Sequence, residues 1–144
     1  MSPTVEIKLH QYVENQIGIP FEFGVNDCPL FALGAIDIML ESDYRKDFVG
    51  KWHDQKSAWK YAKKHGDIIH HLLKWGFKKV KFQFIQVGDI IMMEQKLAHA
   101  KKWRSVAICL GSKVAIVTNE NGVELVGIEA VPNVTGVVRW QSSL

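Results

Sequence analysis

Residues 21–40 read FEFGVNDCPLFALGAIDIML, with an Asp-Cys-Pro at the foot of an almost unbroken apolar run. Asp27 stands where an N-cap belongs, because a short carboxylate can accept from the free N–H groups of a first turn. Pro29 fits that turn, where its missing N–H costs nothing. From Cys28 to about residue 40, apolar side chains fall on nearly every side of the expected helix, which predicts a helix in the centre of a domain. Cys28 opens it. A thiol there meets unpaired N–H groups and the positive end of the helix dipole, a setting that favours thiolate and makes a nucleophile. The same position also suits a small apolar side chain that only fills space. Nucleophilic catalysis needs a base beside the sulfur, usually histidine, oriented by a third polar group. The rest of the chain decides between the two.

On the N-terminal side, Val5, Leu9, Tyr12, Val13 and Ile17 recur at helical spacing, so residues 4–16 read as a helix that stops at Gly18 and Pro20. Residues 41–56 are polar and irregular around the cluster FVGKWHD. Two further helices are expected in QKSAWKYAKKHG and DIIHHLLKWG, each closed by a glycine at its C-cap. From residue 78 the pattern changes to short β-branched and aromatic runs: KKVKFQF, VGDIIMME, WRSVAICLG, KVAIVTN, GVELVGI and GVVRW. NENG, residues 119–122, reads as a hairpin turn. Helices first and strands second give an α+β class, with N-terminal helices packed on one C-terminal antiparallel sheet. No linker or internal repeat divides the chain, so residues 1–144 read as one domain.

With 144 residues, 47% apolar and 23% charged, the chain can bury a core without staples. The longest uncharged apolar run, Cys28 to Ile36, is far too short to span a bilayer. Met1 to Gln16 carries scattered charges and no signal-peptide core, so the expectation is a soluble chain not exported on its own signal. The net charge of +3 comes mostly from lysines beside aromatics, in YAKKHG, KWGFKKVKF and HAKKW. Nucleic-acid binding needs many phosphate contacts acting together, and so modest a charge weighs against it. Cys28 and Cys109 lie far apart with no CxxC pair, which suggests neither a metal site nor a disulfide framework. No cofactor is implied.

Six histidines are available as a base. His10 lies among charged neighbours on the first helix, and His65 sits at a helix C-terminus, where a cation is favoured for structural reasons. His70 and His71 are adjacent and face different directions on a helix. His53 and His99 fall in expected loops. None lies on an expected strand.

FEFGVNDCPLFA, followed by VGDIIMM and then SVAICLG, resembles the NlpC-type cysteine peptidases, and most of all the small NlpC-like proteins of tailed-phage tail modules. The resemblance covers roughly residues 18–141. It implies a papain-like fold, peptide-bond cleavage in bacterial cell-wall stems, and Cys28 as nucleophile, with Gly24 in the loop before it and Gly88 and Asp89 opening the first core strand. The family's catalytic histidine aligns with Ser105, where this chain departs from the pattern. Serine cannot take a proton from a thiol near neutral pH. Thr118 and Asn119 are the polar residues near the third position. His99, six residues before Ser105, and His53 are substitute bases only if a loop folds back toward Cys28. Cys109 shares strand parity with Ser105 and reads as a core residue. Two expectations follow. One is a structural part of a phage or prophage tail tip on a scaffold without peptidase activity, made in the host cytoplasm, carried in the virion tail and bound to other tail hub or tip proteins. The other is an active cysteine endopeptidase or amidase acting on cell-wall peptides.

Overall fold

The computed structural model describes residues 1–97 and 100–141. Helix α1 (Pro3–Gln16) is capped by Ser2, whose hydroxyl accepts the Val5 N–H at 3.2 Å. Its buried Leu9 and Val13 face the core. Tyr12, one turn along, lies on α2 (Cys28–Leu40). Its ring stacks on Phe31 at 5.5 Å and its hydroxyl donates to the Phe31 carbonyl at 2.8 Å. Gly34 lies directly beneath, where an added Cβ would collide with that hydroxyl. Every residue of α2 from Leu30 to Ile36 is buried, as its all-round apolar pattern predicts. At its far end Asp37 accepts from the Ser42 hydroxyl and from the backbone N–H groups of Tyr44 and Arg45. That carboxylate orders the polar segment after the helix, which holds one 3₁₀ turn at Arg45–Asp47.

Asp54 and Ser57 form a capping box at the start of α3 (Gln55–His65), and Gly66 closes it. Asp67 caps the short α4 (Ile68–Lys74). Here the expected glycine cap is displaced by one residue: Trp75 is the C-cap, and Gly76 follows with φ +104.

Among the described residues six strands form one antiparallel sheet: β1 (Phe77–Val80), β2 (Ile90–Leu97), β3 (Ala100–Cys109), β4 (Lys113–Thr118), β5 (Gly122–Gly127) and β6 (Val134–Trp140). Their spatial order is β1-β6-β2-β3-β4-β5. The expected strand 78–84 is shorter than its pattern suggests. β1 is an edge strand paired with β6 from Phe77↔Trp140 to Val80↔Val137, and Phe82–Phe84 then coil into a 3₁₀ turn. That turn is held by Arg139, which donates to the Phe84 carbonyl at 2.8 Å.

Alternation divides the sheet's side chains between two clusters. Ile90, Met92, Val106 and Ile108 pack under the helices with Leu30, Leu33, Ile69 and Leu72. Ile91, Ala107, Cys109, Val114 and Val137 pack on the opposite face, against Ile85, Ile128 and Val131 from the connecting turns. Asp89, 1% exposed at the start of β2, forms a bidentate ion pair with Arg139 of β6 at 2.7 and 2.8 Å. The protein is therefore α+β, with N-terminal helices on a C-terminal antiparallel sheet. Among the described residues no helix is long and apolar enough to cross a membrane.

Candidate functional site

The start of α2 is built on Asp27. Its carboxylate, 3% exposed, accepts from Leu30 N–H at 3.2 Å as N-cap, from Gly24 N–H at 2.8 Å and from the Trp52 indole N–H at 2.6 Å. Burial pushes this carboxyl above its ordinary range, while the three donors pull the other way. Gly24 holds φ +81 under the Trp52 carbonyl, a place where any Cβ would collide. Thus FEFG, NDCP and KWHD, scattered in sequence, meet at one carboxylate.

Cys28 follows Asp27 and sits half-buried at the floor of a cleft of about 870 Å³. Its sulfur accepts the Val106 N–H of β3 at 3.3 Å. The helix start alone favours thiolate, yet the fold reverses this preference. Burial pushes the thiol up to about 12, the Val106 bond pulls the other way, and the charges of Asp27 and Asp67 add smaller rises. At neutral pH Cys28 is a protonated thiol.

Ser105 lines the same cleft, one residue before the amide that holds the sulfur. Its parity is that of Ala107 and Cys109, which lie in the second core cluster. The sulfur is therefore met by backbone and not by the serine hydroxyl. Thr118 and Asn119 also line the cleft. The Thr118 hydroxyl is spent on Glu124, to which it donates at 2.7 Å. Cys109 is buried behind the sheet, donating weakly to the Gly111 carbonyl at 3.6 Å, and does not reach the cleft. His53 does not reach it either: its side chain is 84% exposed beside Asp54 and Ser57. His99 lies outside the described residues.

Three features of this site escape a reading of the sequence. Asp67, the cap of α4, takes a bidentate ion pair from Arg104 of β3 at 2.6 and 2.7 Å, which ties the helical wall of the cleft to the strand wall. His70 and His71, which face different directions on their helix, both line the cleft. His71 packs against Phe48 and Trp75 with ring centroids 5.1 and 5.6 Å away. Its Nε2 is buried with no hydrogen-bond partner among the described residues. Burial holds this imidazole below its ordinary value, with His70 adding to the effect. The Asp67–Arg104 pair had one legible half, the aspartate at a helix start. The aromatic packing of His71 had no local signal.

The chain matches, over residues 1–134, the family model described as a domain of unknown function, DUF6950. The chain belongs to the DUF6950 family. No curated protein matches it. In this DUF6950 chain the match spans every helix and all strands but β6, of which it takes in only the first residue. It therefore contains the whole cleft wall made by α2, α3, α4, β3 and β4. Among the described residues, no three His, Cys, Asp or Glu side chains converge as a metal site.

Proposed function

We propose that this DUF6950 chain is a papain-like scaffold of the NlpC type that has given up peptide cleavage and works by binding, as a component of a phage or prophage tail tip. The observation that carries the loss of chemistry is the state of Cys28. A nucleophilic cysteine needs an imidazole to take its proton and later protonate the leaving amine. Here the sulfur takes a backbone N–H, its proton is held up to about 12, and Ser105 occupies the position that resembles the family's base. The intact cap, the buried helix and the open cleft support retention of the scaffold for contact. The tail-tip assignment is supported by the order of FEFGVNDCP, VGDIIMM and SVAICLG, which resembles the small tail-module proteins.

A second reading keeps the enzyme. His70 and His71 line the cleft and are the described imidazoles that an active form would recruit. One experiment addresses both. Purified protein is incubated with cell-wall stem peptides, and particles carrying a tagged copy of the chain are purified and analysed for it. Intact peptides and retention of the chain in tail complexes are the expected results. Cleavage abolished by Cys28→Ala would overturn the loss of chemistry, and recovery of the chain only as free protein in lysates would overturn the tail-tip role.

A further inference from the structure

β3 reaches back to Ala100 and β4 runs on to Thr118, yet the two are paired only at Ile108↔Ala115 and Cys109↔Val114. Beyond that they part, and the gap between them is a limb of the cleft, with Arg104 and Ser105 on one wall and Val117 and Thr118 on the other. The N-terminus of α2 stands at its apex, where Cys28 takes the Val106 N–H.

Parity settles which peptide groups face the gap. Cys109 bonds toward β2: its N–H donates to the Asp89 carbonyl at 2.9 Å and its carbonyl accepts from Gly88 N–H at 2.8 Å. The next residue, Leu110, donates its N–H to the Lys113 carbonyl of β4 at 2.8 Å. Along this part of β3, odd-numbered residues therefore turn their peptide groups to β2 and even-numbered ones to β4. Val106 follows the rule by bonding Cys28. Arg104 follows it too, with its N–H and C=O directed into the gap after β4 has diverged. On β4, Val117 shares the parity of Lys113 and turns its own N–H and C=O toward the gap from the other side.

Two facing strand edges with unpaired peptide groups at alternate residues are complementary to the backbone of an extended polypeptide. Charge narrows the choice further. Near the gap Lys102 is paired with Glu94 at 3.8 Å and Arg104 with Asp67, and Glu120 adds one exposed carboxylate, so among the described residues no cluster of one sign stands there to attract a polyanion or a polycation. Half-buried Trp103 in the cleft wall offers apolar contact to the side chains of an uncharged strand. We infer that the chain captures an extended, uncharged, apolar segment of a partner protein as an added strand between β3 and β4. The inference rests on the reading of the cleft as a binding site that does not cleave, and it gives that site its kind of ligand.

The probe is a set of linear peptides, about 12 residues long, selected from a random display library on the intact protein. Binding is followed by amide hydrogen exchange with residue resolution. In the free protein, the Arg104 and Val117 amides exchange fast while those of Trp103 and Ser105, paired with β2, exchange slowly. A bound peptide slows Arg104 and Val117. N-methylation along the peptide weakens binding about tenfold or more at alternate amides and little between them. Selected peptides that bind without slowing these two amides overturn the inference, as does indifference to N-methylation or failure to select any peptide. Each peptide is recovered and weighed by mass spectrometry. A cleaved peptide sinks the non-cleaving reading, and the strand-addition inference is then judged separately, by exchange in Cys28→Ala.

Discussion

At the scale of single residues, two groups in the cleft hold protonation states that their local sequence does not suggest. Cys28 begins a helix, where the backbone favours thiolate, but burial and two neighbouring carboxylates win and keep the proton on sulfur. His71 is the converse case, an imidazole that burial keeps neutral among Phe48 and Trp75. Because its folded value lies below the ordinary 6.5, the unfolded chain takes up that proton first as pH falls. The contribution of His71 to stability is therefore whole above about pH 6.5 and is lost as pH drops through its folded value. Urea midpoints measured at roughly pH 7 and pH 5 check this. His71→Phe is expected to lose less stability between the two than the native chain does. An equal loss in both would contradict the neutral, buried imidazole.

At the scale of elements, helix α2 was legible because its signals are local. The Asp27 cap, Pro29 in the first turn and an all-round apolar run lie within a few residues and agree with one another. Its packing was not legible. Gly34 is unremarkable in the sequence, yet it lets the Tyr12 hydroxyl close onto α2. Alanine is the better helix former by about 1 kcal/mol, and on propensity alone Gly34→Ala should stabilise. Contact with Tyr12 decides the sign, and we expect a net loss of about 1–3 kcal/mol by denaturant unfolding. Tyr12→Phe, which removes the hydroxyl but leaves a ring carbon 2.8 Å from the added Cβ, should recover only part of it in the double variant. Stabilisation by Gly34→Ala alone would contradict the close approach. The end of β1 at Val80 was illegible for a related reason, since Phe82–Phe84 coil into a turn held by the distant Arg139, which the composition of KFQF does not show.

At the scale of the whole molecule, the fold class was readable from the order of helical and strand patterns, and the sheet order was not. That order places the last strand, β6, between β1 and β2, and the buried ion pair between Asp89 and Arg139 fastens it there. Arg139→Ala strands a carboxylate that is 1% exposed, an expected cost of about 3–5 kcal/mol. Replacing both partners with apolar residues should cost much less, because no charge then remains buried. Urea unfolding of the single and double variants tests this, and a loss in Arg139→Ala no larger than in the double variant would argue against a dominant desolvation term. The cleft shows the same division. Cys28 and Asp27 could be found in the sequence because they make a helix start. The Val106 amide, the Arg104–Asp67 tie, His71 and the gap between β3 and β4 arise from tertiary placement and had no local pattern to reveal them.

The proposed loss of chemistry requires Cys28 to be a protonated thiol with no base at work on it. Its rate of alkylation by iodoacetamide, read at this residue by mass spectrometry of digested protein, tests it most directly. An ordinary thiol is half ionised near pH ~8.5, and a paired catalytic one well below neutrality. For Cys28, slow modification through neutral pH that keeps rising beyond pH ~9 is expected, with no step lost in His71→Ala. Fast modification near pH ~6 that disappears on removing a histidine would contradict it.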